Sequence, residues 1–527
     1  SKEHNMSLLL DGSAFLDGTA KILNLLDVLN YQFSDPGQCD LSEFEKHFEV
    51  TPLARELERW IRSHDDFDLV SELTKLKRRV ANNALHDEEA KKTFGSNAEF
   101  EGIKVRRLLE QIIYIRQARS VQLETLRAWA QIVKALASDE LTKKTNLIPQ
   151  VFLAILPRIN NEYFERNIPF AEELISLCLF LFKILEQEYH HNSDQIEGGS
   201  LQGLIALFET CANGLLHSNS TPVLRADLYF LINKLLLMSL KNGSFLNNLT
   251  SVLQLIDSRF IGVVCNDSIN SEGVSRIASL LLLESLVRMS NLRNSGLIIQ
   301  ILANNNFLSL LVRSLKRADG ILSTCEKAGD GDTGPIVTLE TLFYELTALK
   351  STLYVLIRLG QTRSGASQLV HDDIFATLRG LKFLAMDAEV GMSYLIELND
   401  DKSGTKATLK LALDVPLTLN EKTEQGRESS KTLTLYEILT PIFQLIATLL
   451  LSLGPSYKPG ITEVEGLLKY SHSIVLGVIK RDSLLDTRQI TCKSNRLTAD
   501  VQEDMKLLVD LIILISTMLS NTKSGDV

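Results

Sequence analysis

The sequence predicts an all-α fold, an α-solenoid of stacked helical hairpins interrupted by one long loop insertion, and three observations predict it. Leucine-rich segments with apolar residues three and four apart follow one another along the 527-residue chain, the spacing that lines up one side of an α-helix. Glycine and proline number only 28 and 11, below usual globular frequencies, so little but short turns divides those segments. The chain also exceeds the size at which one compact core keeps growing, which leaves several domains or one extended, repetitive one. Many amphipathic helices with short connections and almost no strand signal favour the repetitive arrangement.

In chain order, helices are predicted at 42–61 and 66–82 and then over 101–137, which has no proline and no glycine after Gly102. There Ile112, Ile115, Leu126, Trp129, Val133 and Leu136 keep a seven-residue register around polar Arg119 and Gln122, giving one long helix or two with a bend. Further helices are expected at 139–156, 169–189, 200–216 and 222–241, the last introduced by "NSTP" at 219–222, a cap followed by proline. After 273–290 and 296–317, Leu339, Leu342, Leu346, Leu349, Leu353 and Leu356 form a one-face helix running to Gly360, where glycine can take the left-handed conformation that closes a helix. The remaining helices are expected at 374–386, 441–453, 461–480 and 498–520. "LTP" at 439–441 places Thr440 and Pro441 as N-cap and first turn, unless Pro441 kinks a helix begun near Leu433. Three segments are expected: 1–160, 161–335 and 336–527.

A weak internal repeat accompanies these helices. "RNSGLIIQILANNNFLSLLVRSLK" at 293–316 aligns, with a short gap, with "TRSGASQLVHDDIFATLRGLK" at 362–382. Each has a small-residue turn, a short helix, a polar cap and a longer helix, although coincidence among leucine-rich helices stays open. Two stretches break the helical pattern. "AGDGDTGP" at 328–335 is a loop, because its glycines and proline cannot sustain a helix. "ATLKLALDVPLTLNE" at 407–421 alternates, with Leu409, Leu411, Leu413, Val415, Leu417 and Leu419 on one side of an extended chain. Polar sequence flanks it, so an insertion near 399–432 is expected to carry an extended piece along the helical body. Pro416 argues against a central strand.

Composition excludes several classes of function. The 65 acidic and 55 basic residues give a net charge of −10, the wrong sign for neutralising phosphates, so direct nucleic-acid binding is not expected. Six cysteines, Cys39, Cys178, Cys211, Cys265, Cys325 and Cys492, form no CxxC pair, which gives neither a disulfide framework nor a zinc site; free thiols in a reducing compartment and no disulfide-linked partner follow. No leader segment and no run of 18 apolar residues is present, so a cytosolic or nucleoplasmic protein without a transmembrane segment is expected. The opening at Ser1 without methionine is expected of a fragment.

Candidate chemistry is sparse. "DGDTG" at 330–334 has the acidic alternation of a calcium loop, but its twelfth position is Thr341 and its glycine is misplaced. "YHHN" at 189–192 sets two histidines at a helix end with no further ligand at metal spacing, where they interact with the helix C-terminus. "KLKRR" at 75–79 beside "DDFD" at 65–68 is a solvated helix face in preference to a phosphate patch or a localisation signal. P-loop, Rossmann, GxSxG and HExxH signatures are missing, so no catalytic residue, cofactor or metal is assigned and no enzyme is expected.

The stretch "TLETLFYELTALKSTLYVLIRLGQTRSGASQLVHDDIFATLRGLKFLAMD", Thr338 to Asp387, resembles the C-terminal part of the largest inner-ring scaffold nucleoporins of the nuclear pore complex, of the fungal type. It carries a leucine-rich helix, a "TRSGA" turn and a short helix leading into "DDIFATLRGLKFL". The resemblance implies armadillo-like and HEAT-like helical units, no enzymatic activity and residence at the nuclear envelope. It also implies a rigid platform on which short helical segments of linker and adaptor nucleoporins dock. A karyopherin-type transport receptor and a cytoplasmic helical tethering scaffold are the alternatives.

The helix "MKLLVDLIILISTMLSN", Met505 to Asn521, poses the remaining question. Met505, Leu508, Ile512, Ile515 and Leu519 form one apolar stripe, Leu507, Leu511, Leu514 and Met518 form the next, and only Lys506, Asp510 and Thr517 are polar between them. Either other segments fold over the first stripe, or it lines a groove for a partner helix. Under the second alternative Met505, Leu508, Ile512, Ile515 and Leu519 are the partner-binding residues; under the first they are core.

Overall fold

The computed structural model describes residues 120–135, 147–160, 164, 168–191, 198–217, 220–249, 256–292, 296–323, 337–388, 392–401, 404–412, 431–455, 457–486 and 499–524. The helices predicted at 42–61 and 66–82, the "KLKRR" and "DGDTG" clusters and residues 413–421 of the alternating stretch lie outside them. The chain divides into two compact units, residues 1–203 and 204–527.

In the first unit, helix α1 (120–135) buries Leu126, Ala130 and Val133, the apolar seam its spacing predicts. Its outer side is tied to α3 (Ile168–His191) by Arg127 and Glu173 and by Lys134 Nζ donating to Ser176 Oγ at 3.3 Å. Gln122, the polar residue within that register, is only 3% exposed and makes no side-chain hydrogen bond among the described residues. Helix α2 (Leu147–Arg158) packs on α3. Where Gly203 of α4 (Gly198–Leu216) meets Pro149 of α2, an added Cβ would lie 2.7 Å from the Pro149 carbonyl oxygen, so this close approach requires glycine.

The second unit is a stack of long helices. Helix α5 (Pro222–Lys241) begins where "NSTP" predicts, with the Thr221 hydroxyl accepting from the Leu224 N–H. After the short α6 (Gly243–Leu249) and α7 (Ser258–Asn270), α5 packs on α8 (Gly273–Leu292). Three short helices follow: α9 (Leu297–Asn304), α10 (Phe307–Ser314) and α11 (Lys316–Ser323). The next long helix, α12 (Leu339–Gly360), packs on α8 and is followed by the short pair α13 (Arg363–His371) and α14 (Ile374–Arg379). Then α15 (Tyr436–Leu453) packs on α12, the pair α16 (Lys458–Tyr470) and α17 (His472–Asp486) follows, and α18 (Ala499–Ser524) packs on α15.

Ion pairs give the helix directions. Arg276 pairs with Glu345 and Glu284 with Arg358, so residue numbers rise together along α8 and α12 and the two run parallel. Lys350 meets Glu437, and Gly360 meets Leu449, so α12 and α15 are parallel too. Parallel neighbours need a return path, and the short helices supply it as a second layer. The weak sequence repeat is this unit: α9 packs on α13 and α10 on α14. The residue between the two short helices is left-handed in both copies, Asn306 at φ 57° and Asp373 at φ 60°. Asn and Asp are among the few residue types that adopt this conformation routinely.

Polar groups inside the stack are partnered across it. Asp267, 4% exposed on α7, accepts from the Tyr229 hydroxyl at 2.8 Å and from Arg225 Nε at 2.6 Å, both on α5. Burial and the adjacent Asp267 carboxylate push the Tyr229 phenol well above its ordinary pKa. Ser285 of α8 donates to Asn233 Oδ1 of α5 in the same core, so these buried groups are satisfied by neighbouring helices.

The insertion is a four-stranded antiparallel sheet of order β1-β3-β2-β4. Strands β2 (Ser393–Asp401) and β3 (Gly404–Ala412) form a hairpin, with Asp401 opposite Gly404 and Ser393 opposite Ala412. Strand β1 (Val337–Thr338) runs directly into α12, and β4 (Lys431–Thr434) leads through Leu435 into α15. The extended piece expected from alternation is thus β3, starting three residues earlier than predicted and hydrogen-bonded within its own sheet.

Several details of the helices differ from expectation. The 296–317 and 461–480 segments are broken into shorter helices, and 374–386 ends as α14 plus a 3-10 turn at Lys382–Ala385. Helix α15 starts at Tyr436, so Thr440 and Pro441 lie inside it, which is the second of the two alternatives that the sequence left open. Burial explains that extra turn, because Leu435, Tyr436, Ile438 and Leu439 are all at most 1% exposed and outweigh the one backbone hydrogen bond that proline forfeits. Gly360 does not turn left-handed; the helix ends at Gln361 with φ −68°. Its missing Cβ instead admits Leu449, whose Cδ2 would lie 3.3 Å from that atom. Helix α15 is also long and apolar enough to cross a membrane, but 72% of that window is buried within the protein, the signature of a core helix.

Two glycines on this framework predict opposite outcomes. At Gly365, in the "TRSGA" turn, an added Cβ would lie 2.0 Å from the Leu359 carbonyl oxygen, whereas at Gly262 of α7 it would meet nothing within 4 Å. Gly365→Ala should lose about 1–3 kcal/mol, and Gly262→Ala should gain about 0.5–1 kcal/mol, measured by urea denaturation. The thiols of Cys178, Cys211 and Cys265 are buried, and burial pushes Cys178 and Cys265 up to about 12. Iodoacetamide at pH 8 should therefore leave all three unmodified in the native protein and alkylate them in urea, read by peptide mass spectrometry.

Candidate docking surface on the last helix

Helix α18 answers the question its sequence raises. Met505, Leu508, Ile512, Ile515 and Leu519 are between 0% and 7% exposed, as is Val509, on the side of the helix that packs on α15 and α17. The chain itself covers the five proposed partner-binding residues, and a partner helix could reach them only by displacing those helices. They are core, and their assignment to a groove is corrected here. The physical reason is visible on the helical wheel: this stripe lies opposite the polar strip of Lys506, Asp510 and Thr517, so it is the side that water avoids most.

The second stripe faces outward. Leu507 is 48% exposed and Leu514 39%, with Leu511 and Met518 half-buried at the border of the core. Ile513, 53% exposed, stands across the polar strip. The other long helices also expose apolar residues, Val274, Leu281 and Leu292 on α8, Phe343 and Tyr354 on α12 and Leu451 on α15, but these are well separated along each helix, which is ordinary for a protein surface. On α18 four apolar residues two turns and more in length lie side by side instead, flanked by Lys506 and Asp510, a composition suited to the apolar face of an amphipathic segment. Sequence reasoning named this stripe but preferred its neighbour.

The other sequence candidates contribute no chemistry here. Helix α3 ends at His191, which puts the two histidines of "YHHN" at a helix C-terminus as expected. Among the described residues, no group of three or more His, Cys, Asp or Glu side chains is arranged to hold a metal ion.

The fold defines a class: an α-solenoid of stacked helical repeats. Sequence comparison gives the family. The profile described as nuclear pore complex scaffold, nucleoporins 186/192/205, matches residues 1–519, and the chain belongs to that family. Nucleoporin NUP192 of Chaetomium thermophilum is 24% identical over 461 residues, which cover 76% of this chain and 25% of that protein. The chain thus spans about a quarter of the length of this relative. The family match does not favour the transport-receptor and tether alternatives.

The two stripes of α18 should separate cleanly by mutation. Leu508→Asp, which buries an unpaired carboxylate, should cost at least about 3 kcal/mol, while Leu514→Asp should stay within about 0.5 kcal/mol of the parent, both read by thermal and urea unfolding.

Proposed function

We propose that this chain is a rigid helical platform within the nuclear pore complex scaffold at the nuclear envelope, with a structural and not a catalytic role, and that it holds short linear segments of linker and adaptor nucleoporins. The observation that carries this is the apolar stripe of α18, in which Leu507 and Leu514 are exposed and Leu511 and Met518 half-buried, on a helix whose opposite side is fixed in the core. A flexible partner segment that folds into an amphipathic helix would lay its apolar side along that stripe. A few anchors would then supply most of the affinity. The stack beneath keeps the stripe in place before the partner arrives, which reduces the ordering cost of binding to that of the partner alone.

Calorimetry with synthetic segments tiling the disordered parts of linker nucleoporins tests this. One segment should bind at micromolar Kd or tighter, and Leu507→Asp with Leu514→Asp should weaken it at least about 100-fold without lowering Tm. Failure of every segment to bind, or binding that survives both substitutions, would remove the docking role from this helix.

A further inference from the structure

The seams between repeats in the second unit are closed by ion pairs: Arg276 with Glu345, Glu284 with Arg358, Lys350 with Glu437, and Arg379 of α14 with Glu463 of α16. The short-helix layer of the seam between the α8 and α12 repeats is different. Where the pair α9/α10 stacks on α13/α14, an open cleft of about 550 Å³ remains, with Ser309, Arg313 and Lys316 on one side and His371, Asp372, Asp373 and Thr377 on the other. Arg313, Lys316 and His371 are exposed, and among the described residues no hydrogen bond or ion pair engages their side chains. The two carboxylates in the same cleft leave them unpaired. Asp372 accepts from Gln368 Nε2 at 3.2 Å on its own helix, and Asp373 is the left-handed residue of the turn between α13 and α14.

Arg313 and Lys316 are two unpaired cations in one cleft, with the His371 imidazole beside them. They offer a planar guanidinium fork, an ammonium and an imidazole N–H, with the Ser309 and Thr377 hydroxyls beside them. A tetrahedral phosphoryl group, with three terminal oxygens and close to two negative charges, has more acceptor positions for these donors than a planar carboxylate. The cleft is larger than a phosphate ion, and Asp372 and Asp373 balance the charge of Arg313 and Lys316, so it suits a phosphoryl group with a basic neighbour, which the two carboxylates can pair with, better than a free polyanion. We propose that this cleft between the two repeats binds the phosphoryl group of a phosphorylated serine or threonine in a partner protein segment. It stands apart from the α18 stripe and does not depend on it.

The test uses the 527-residue chain and a fluorescein-labelled peptide carrying one phosphoserine flanked by glycine and lysine, read by fluorescence anisotropy. Its unphosphorylated counterpart and inorganic phosphate serve as comparisons at constant ionic strength. Saturable binding of the phosphopeptide is expected, with no binding of the unphosphorylated peptide and weaker competition by inorganic phosphate. Arg313→Gln and Lys316→Gln should each weaken binding about tenfold, and with both side chains exposed neither should move Tm. The proposal is overturned if neither peptide binds, if both bind equally, or if the double variant binds as the parent does. Inorganic phosphate binding as tightly as the phosphopeptide would overturn the assignment to a protein segment.

Discussion

Parallel packing of the long helices is the constraint on which the second unit depends. Helices α8, α12 and α15 are apolar on more than one side, so none can be buried by a single partner, and each is covered by the long helix before it and the one after it. Because these neighbours run in the same direction, the chain must travel back between them. The short helix pairs are that return path, and they form the second layer. The fold is then a series of nearest-neighbour contacts, in which Asp267, Asn233 and Ser285 bind across from one helix to the next.

The same constraint explains what the sequence made legible. Spacing located α5 and α12 to the residue or nearly so, because a capping threonine, Thr221 or Thr338, opens each. It also located the repeat, since Asn306 and Asp373 hold the same left-handed turn in each copy. It failed where tertiary contact overrides local preference. Pro441 lies inside α15 because the buried turn from Tyr436 precedes it, a choice that spacing left open, and Gly360, where α12 ends, is not left-handed but admits Leu449. Breaks such as that at Ser471 depend on what the neighbouring repeat can accommodate, which no local pattern records.

The candidate docking surface was half legible for a related reason. A helix apolar nearly all round announces that two sides must be covered, and periodicity cannot say by what. The stripe opposite Lys506, Asp510 and Thr517 is the one the chain keeps for itself, so the polar strip was the usable signal. The cleft at Arg313, Lys316 and His371 was not legible at all, since it joins two copies of the repeat separated by about sixty residues and exists only once they are stacked.

The sheet gives the stack a mechanical property. A series of helices in nearest-neighbour contact can flex like a spring, each repeat rotating slightly on the next. Between α12 and α15 this freedom is restricted, because β1 continues into α12, β4 continues into α15, and β3 and β2 join them through an unbroken ladder of backbone hydrogen bonds. The Leu435 N–H, bonded to the Met392 carbonyl oxygen at 3.0 Å, fastens the ladder to the start of α15. Twisting these two repeats apart would shear the ladder, so elastic deformation under load would fall on the seams that side chains alone hold, such as that between α8 and α12.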